Sequence, residues 1–174
     1  MSERAGRFWA FSLRVYGAPG VAAGCLALQD RYGVDVNLLL WCAWAGTEGV
    51  ALDRAAIDRA VAATEAWREG VVRPLRAVRR ALKEDLGPIP AGESADLRAR
   101  IKAAELDAER RQQVALEALI PAPGGGDPFP ALNGNILLYL DSFGATSDRL
   151  VSDLVSASMA AIGGESLGGG AEWA

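Results

Sequence analysis

The longest strongly apolar run of this 174-residue chain is Val36-Asn-Leu-Leu-Leu-Trp-Cys-Ala-Trp-Ala-Gly46. Asp35 precedes it, and its carboxylate can accept hydrogen bonds from the free N–H groups of a first helical turn. The run therefore predicts a helix over residues 37–45 that is apolar on every side. Because such a helix must be surrounded by other elements, we expect it at the centre of the fold. At about 1.5 Å per residue it is too short to cross a bilayer core of roughly 30 Å, so no membrane span is expected.

Helical periodicity continues on both sides of this run, and no alternating strand pattern is found. Apolar stripes are expected to face the core at Val71, Leu75, Val78 and Leu82, and at Leu97, Ile101, Ala104, Ala108, Ala115 and Leu119. Pro74 either kinks its helix or begins a new one. Further helices are predicted over residues 8–16, 21–32, 53–67, 94–119, 135–143 and 147–162, the last capped by Thr146.

Glycine and proline divide the chain. Residues 121–130 hold four of its eight prolines, and the C-terminal end is rich in glycine. We predict an all-α, compact bundle of about six to eight helices around the central apolar helix. Its parts are a helical core domain at 1–120, a Pro/Gly-rich linker at 121–134, a helical pair packing on the core at 135–162 and a flexible tail at 163–174.

Composition limits the chemistry. The chain has no histidine, which excludes a Ser-His-Asp triad and a His-ligated metal. Two cysteines, Cys25 and Cys42, cannot build a four-Cys site within one chain, and both lie on apolar faces where free thiols are inert. A net charge of −4 argues against nucleic acid as a partner. We therefore expect a cytoplasmic protein without cofactor, metal or catalytic residues, with enzyme activity left open.

The aromatic N-terminal block carries a resemblance. Residues 8–44 fit the pattern FWxFSLxxYxxPGVxxxCLxLQDxxGxDVNLLLxCxW. Two further blocks are Val72-Arg-Pro-Leu-Arg-Ala-Val-Arg-Arg80 and Ile101-Lys-Ala-Ala-Glu-Leu-Asp-Ala-Glu-Arg110. Over residues 8–120 the chain closely resembles an uncharacterised proteobacterial family, a domain of unknown function. The resemblance implies no activity, cofactor or catalytic residue.

Two charged helical faces suggest a first function. Five cations lie on one side of the helix that follows Pro74, and a second helix carries a mixed polar row with one leucine. Such faces can receive an acidic protein surface, although a solvated helix face and i,i+4 ion pairs are the simpler explanation. We expect a non-catalytic binding or adaptor module, with another protein or a second copy as partner. The candidate binding residues are Arg73, Arg76, Arg79, Arg80, Lys83, Lys102, Glu105, Leu106 and Glu109.

A polar set beside the apolar helix suggests an alternative function. Carboxylates and amides next to tryptophan could orient a small ligand in an enzyme or sensor, whereas the same residues also suit helix caps. The large aromatic rings are expected mainly to fill the core, with Trp9 the least covered. The candidate pocket residues are Trp9, Gln29, Asp30, Asp35, Asn37 and Trp41.

Overall fold

The computed structural model describes residues 6–120, 125–145 and 148–163, and it confirms the all-α class. A π-helical turn, Arg68–Val72, joins α4 to α5, and a 3₁₀ turn, Ala91–Ser94, precedes α6. The α-helices are α1 (Arg7–Tyr16), α2 (Val21–Tyr32), α3 (Val36–Thr47), α4 (Arg54–Trp67), α5 (Arg73–Ala81), α6 (Ala95–Glu117), α7 (Pro128–Asp141) and α8 (Asp148–Gly163).

The central helix lies where the sequence predicts it. Every residue of α3 is buried, and its N-cap Asp35 accepts hydrogen bonds from the backbone N–H groups of Asn37 and Leu38. The rings of Phe8 and Trp44 stack with centroids 5.2 Å apart, which fixes α1 against α3. An apolar helix without an exposed side thus organises the helices around it.

The closest packing in the fold joins α3 to α7. A Cβ atom at Gly46 would lie 2.2 Å from Cα of Leu132, so only glycine permits this approach of the two backbones. The buried Asn135 of α7 accepts from the N–H of Leu52 and donates to the carbonyl of Val50. One α7 side chain therefore satisfies the backbone of the loop that follows α3.

The start of α7 differs from its predicted position. Helix α7 begins at Pro128, inside the segment assigned to the linker, because Asp127 caps it and proline suits a first helical turn. The backbone of Gly126, just before α7, packs closely on the backbone of Gly49 in the loop after α3. The predicted cap Thr146 and the tail beyond Gly163 lie outside the described residues.

Pro74 lies in the first turn of α5, as one of the two predicted alternatives has it, and α4 continues into α5 through the π-helical turn. Proline has no N–H and its ring clashes with the carbonyl four residues earlier, here that of Gly70. The backbone widens before it into the π-helical turn, where the N–H of Arg73 donates to the carbonyl of Arg68. Such turns occur often at functional sites.

The expected orientation was wrong for most of α6 and for Val78 of α5, whereas Leu82 and Ala108 are buried as predicted. The buried residues of α6 are Glu105, Ala108, Glu109, Gln112, Gln113 and Leu116. Leu97 and Leu119 of the predicted apolar stripe are exposed, and so is Val78 on α5. The two helices turn polar sides inward because arginines on α5 meet carboxylates on α6, as described below.

We predict opposite effects for two glycine-to-alanine substitutions. Gly46→Ala should lower the free energy of unfolding by about 1–3 kcal/mol, because its Cβ overpacks the α3–α7 contact. Gly134→Ala on α7 meets no atom within 4 Å and should raise stability by about 0.5–1 kcal/mol through helix propensity. Urea denaturation of both variants measures this, and a neutral Gly46→Ala would contradict the close approach.

Candidate functional site

A polar pocket of about 330 Å³ lies between α2 and α5. Ligand sites for small molecules typically measure about 300–1,000 Å³. The start of α3 and the π-helical turn close its ends, and α1 and α6 reach its inner wall through Tyr16 and Glu109. Its lining comprises Tyr16, Leu26, Gln29, Asp30, Gly33, Val34, Asp35, Val36, Asn37, Arg68, Val72, Arg73, Arg76, Ala77, Arg80 and Glu109.

Arginine side chains span the gap between α2 and α5, which do not pack directly on each other within the described chain. Arg68 donates to the carbonyl oxygen of Gly33 at 2.9 Å. Arg76 donates to the amide oxygen of Gln29. Arg80 pairs with Asp30 at 2.6 Å. We call these contacts the three arginine bridges. Long side chains, rather than packed apolar surfaces, thus hold α2 and α5 apart.

A largely buried cluster of two arginines and two glutamates lies at the inner side of the pocket. Arg76 binds Glu105 through Nε at 2.8 Å and binds Glu109 through Nη2. Arg79 binds the other oxygen of Glu105. Burial acts to lower the pKa of Arg76, but the adjoining Glu109 and Glu105 outweigh it and raise that pKa. The four charges balance, so the cluster can stay ionised in the interior.

Asp35, the N-cap of α3, lines the pocket and binds side chains from two other elements. Its Oδ2 lies 3.3 Å from Nε of Arg68 and accepts a hydrogen bond of 2.8 Å from Gln112. Gln112 in turn accepts from the amide of Asn37, whose oxygen accepts from Gln113. These contacts link the π-helical turn, the start of α3 and the middle of α6 in one buried network.

The lining is composed of charged, amide, aromatic and apolar side chains. Among the described residues that form it, none is Ser, Thr, Cys or Lys. Burial, with Cys25 and Glu109 nearby, raises the pKa of the Tyr16 phenol well above its ordinary value, so Tyr16 stays protonated at neutral pH. In the part of the chain that the structure covers, no three acidic or cysteine side chains are placed to hold a metal ion. The pocket offers guanidinium donors, amides, one neutral phenol and three carboxylates, those of Asp30, Asp35 and Glu109.

Four of the six predicted pocket residues line this cavity: Gln29, Asp30, Asp35 and Asn37. Trp41 does not, because it lies inside the core, 1% exposed. Trp9 lies elsewhere, half-buried with the guanidinium of Arg110 6.0 Å from its ring centre. The polar part of the hypothesis thus matches the cavity, and the aromatic part belongs to packing.

The predicted binding faces are divided by the structure. Arg79, Glu105 and Glu109 are buried, and Arg76 is partly buried, so these four do not form an exposed surface. The expectation of exposed faces was wrong for them, because their opposite charges pair with one another. Arg73, Arg80 and Lys83 are exposed, while Lys102 and Leu106 are half-buried. Whether the exposed members bind a partner stays a prediction.

Sequence analysis missed Arg68 and Gln112. A signal for Gln112 exists in the spacing, since Glu105, Glu109 and Gln112 recur at four and three residues and share one helical face. Arg68 depends on the π-helical turn, and no spacing rule indicates that turn.

Both cysteines are free and buried in the apolar interior. Burial raises the pKa of the Cys25 thiol to about 12 and raises that of Cys42 further. Neither thiol lines the pocket, so neither contributes a nucleophile to it.

A family model described as "Protein of unknown function (DUF2390)" matches residues 7–116. The chain belongs to this family. Neither a curated protein nor a solved structure matches the chain. The proteobacterial distribution and the sequence pattern given above stay predictions.

The DUF2390 match contains the whole pocket, whose lining runs from Tyr16 to Glu109. Helices α7 and α8 lie beyond it. Among the described helices none is long and apolar enough to cross a membrane alone. Only α1 and α2 meet that length and composition when taken together, and they are bent by 97° to each other.

Breaking the buried cluster should be costly. Glu105→Leu leaves Arg79 without its carboxylate and should lower the free energy of unfolding by about 3–5 kcal/mol. Adding Arg79→Leu should restore part of this loss, because no buried charge is then left unpaired. Asp107→Leu breaks an exposed pair with Arg111 on the same helix and should cost under about 1 kcal/mol. Equal costs for Glu105→Leu and Asp107→Leu in urea denaturation would show that Glu105 is not buried in a pair.

The thiols should be silent in the folded protein. At pH 8 a thiol-specific disulfide reagent should label neither Cys25 nor Cys42 until urea unfolds the chain. The Cys25 thiol ionises near pH 8.5 when unfolded but near 12 when folded, so stability should fall as pH rises through this window. Rapid labelling of the native protein would contradict the buried position of Cys25.

Proposed function

We propose that this DUF2390 protein binds a small polar molecule in the pocket between α2 and α5. The observation that carries the proposal is the set of three arginine bridges across a gap that apolar side chains could have filled. Ordinary core packing places side chains at crystal-like density, and a polar gap of this size departs from it.

Two further features support a binding role. The π-helical turn places Arg68 and Val72 in the lining, and turns of this kind are frequent at functional sites. The buried Asp35 and Glu109 hold their guanidinium partners in fixed positions, which limits the conformational entropy that binding would cost. The lining is therefore organised before any ligand enters.

The adaptor hypothesis has less support from the geometry. A partner would have to reach Arg79, Glu105 and Glu109, all buried against each other. The exposed cations Arg73, Arg80 and Lys83 are accessible to an acidic partner, but Arg73 and Arg80 also line the pocket. The pocket accounts for more of these residues than an outer surface does.

A thermal-shift screen tests the proposal. The probes are sugar phosphates, dicarboxylates, amino acids, nucleosides and polyamines. A compound present at 100 times its Kd should stabilise the fold by about 2.7 kcal/mol, because it binds only the folded state. Ala77→Phe places a ring at the pocket lining and should abolish the shift, whereas the matched control Ala81→Phe, exposed on the same helix but outside the lining, should keep it.

No shift with any probe would overturn the proposal. So would a compound that stabilises Ala77→Phe as strongly as the unaltered protein, since it would bind elsewhere.

A further inference from the structure

We propose that the pocket takes a small molecule with an anionic group at each end, carboxylate or phosphate, held by Arg73 and Arg80. This inference rests on the proposed function, since it names the class of ligand for the same pocket.

The arginine bridges define what a ligand must supply. Each one ends on an acceptor oxygen of α2 or of Gly33, which directly follows it: the carbonyl of Gly33, the amide of Gln29 or the carboxylate of Asp30. A guanidinium group has donors only, so a molecule that enters between α2 and α5 must present acceptor oxygens in their place. Carboxylate and phosphate groups match the fork of arginine in charge and in geometry.

Two of the lining arginines are already balanced in the interior. Arg76 pairs with Glu105 and Glu109, which are buried, and Arg68 pairs with the buried Asp35. Giving up either pair would leave a buried charge without a partner, which is strongly unfavourable. Arg68 and Arg76 therefore shape the pocket rather than release their carboxylates to a ligand.

Arg73 and Arg80 are the arginines that can exchange partners. Their side chains are 57% and 47% exposed, and their carboxylates on Glu69 and Asp30 are 44% and 56% exposed. Exposed ion pairs contribute little, so a ligand oxyanion can replace one at small cost. Arg73 pairs through Nη1 and Arg80 through Nη2, so each guanidinium has further N–H donors to offer.

Spacing selects a molecule with two charged ends. Arg73 and Arg80 are seven residues apart, about two turns or 10 Å along α5, and both side chains line the pocket. A cation is disfavoured there, because Asp35 and Glu109 are already neutralised by guanidinium groups and Asp30 is mostly in water. A short dicarboxylate, or a carboxylate with a phosphate at its other end, fits the pocket volume and this spacing.

Calorimetric titration of the full chain tests the inference. The probes are succinate, 2-oxoglutarate and 3-phosphoglycerate as two-ended anions, with putrescine as the matched dication and inorganic phosphate as a single anion. The two-ended anions should bind, at least about tenfold more tightly than phosphate, and putrescine should not. Succinate and 3-phosphoglycerate separate a carboxylate site from one that requires phosphate, and binding of either supports the inference.

Variants on α5 and α2 assign the effect to these residues. Arg73→Gln and Arg80→Gln should each weaken binding at least about tenfold, while Lys83→Gln removes the same charge from exposed chain just beyond α5 and should leave binding unchanged. Asp30→Asn should tighten binding, because it removes the carboxylate that competes for Arg80. A role of Asp30 in folding alone would not produce tighter binding, and circular dichroism checks that each variant is folded.

Three results would overturn the inference. The first is that none of the two-ended anions binds. The second is that Lys83→Gln weakens binding as much as Arg80→Gln, which indicates diffuse attraction by the surface charge. The third is that the pocket takes a neutral or cationic probe that Ala77→Phe excludes. In that case the ligand class is wrong while the proposed function stands.

Discussion

The middle of α6 carries carboxylates that cannot remain unpaired in the interior. Glu105 and Glu109 are buried, and an ionised carboxylate away from water needs a cation and hydrogen bonds. Arg76 and Arg79 of α5 meet that need. This requirement orients both helices with polar sides together, and it leaves Leu97 and Val78 facing outward.

The same requirement produces the pocket. The arginines of α5 that pair with α6 have long side chains, which occupy the space between α5 and α2. Close packing of α5 on α2 is therefore prevented. Arg76 makes both contacts at once, to Glu105 on α6 and to Gln29 on α2. The pocket is thus a consequence of how the buried charges are satisfied, and its lining is polar for that reason.

Asp35 links this charged region to the apolar core. One of its oxygens caps α3, the helix that the other helices surround, and the other binds Arg68 and Gln112. Tyr139 of α7 donates its hydroxyl to the carbonyl of Asp35. Burial, with Asp35 close by, raises the pKa of that phenol, so it remains a donor at neutral pH. Hydrogen bonds therefore tie the pocket wall to the core.

Much of the fold follows from local sequence. The capping carboxylate Asp35 and the apolar run of α3 were both readable from the residues, because caps and burial act over one or two turns. The candidate site was only half predictable. Gln29, Asp30, Asp35 and Asn37 stand out locally, but nothing local shows that Arg68 meets Asp35.

Local sequence is enough to predict an all-helical chain with a buried apolar centre, and the lack of histidine excludes chemistry that needs an imidazole. The faces of α5 and α6 that turn inward are known from the tertiary structure alone. A helix with an apolar stripe and a charged stripe has two possible orientations, and the choice depends on a partner distant in the chain. Glu105 of α6 pairs with Arg76 and Arg79 of α5, and this pairing fixes the orientation of both helices.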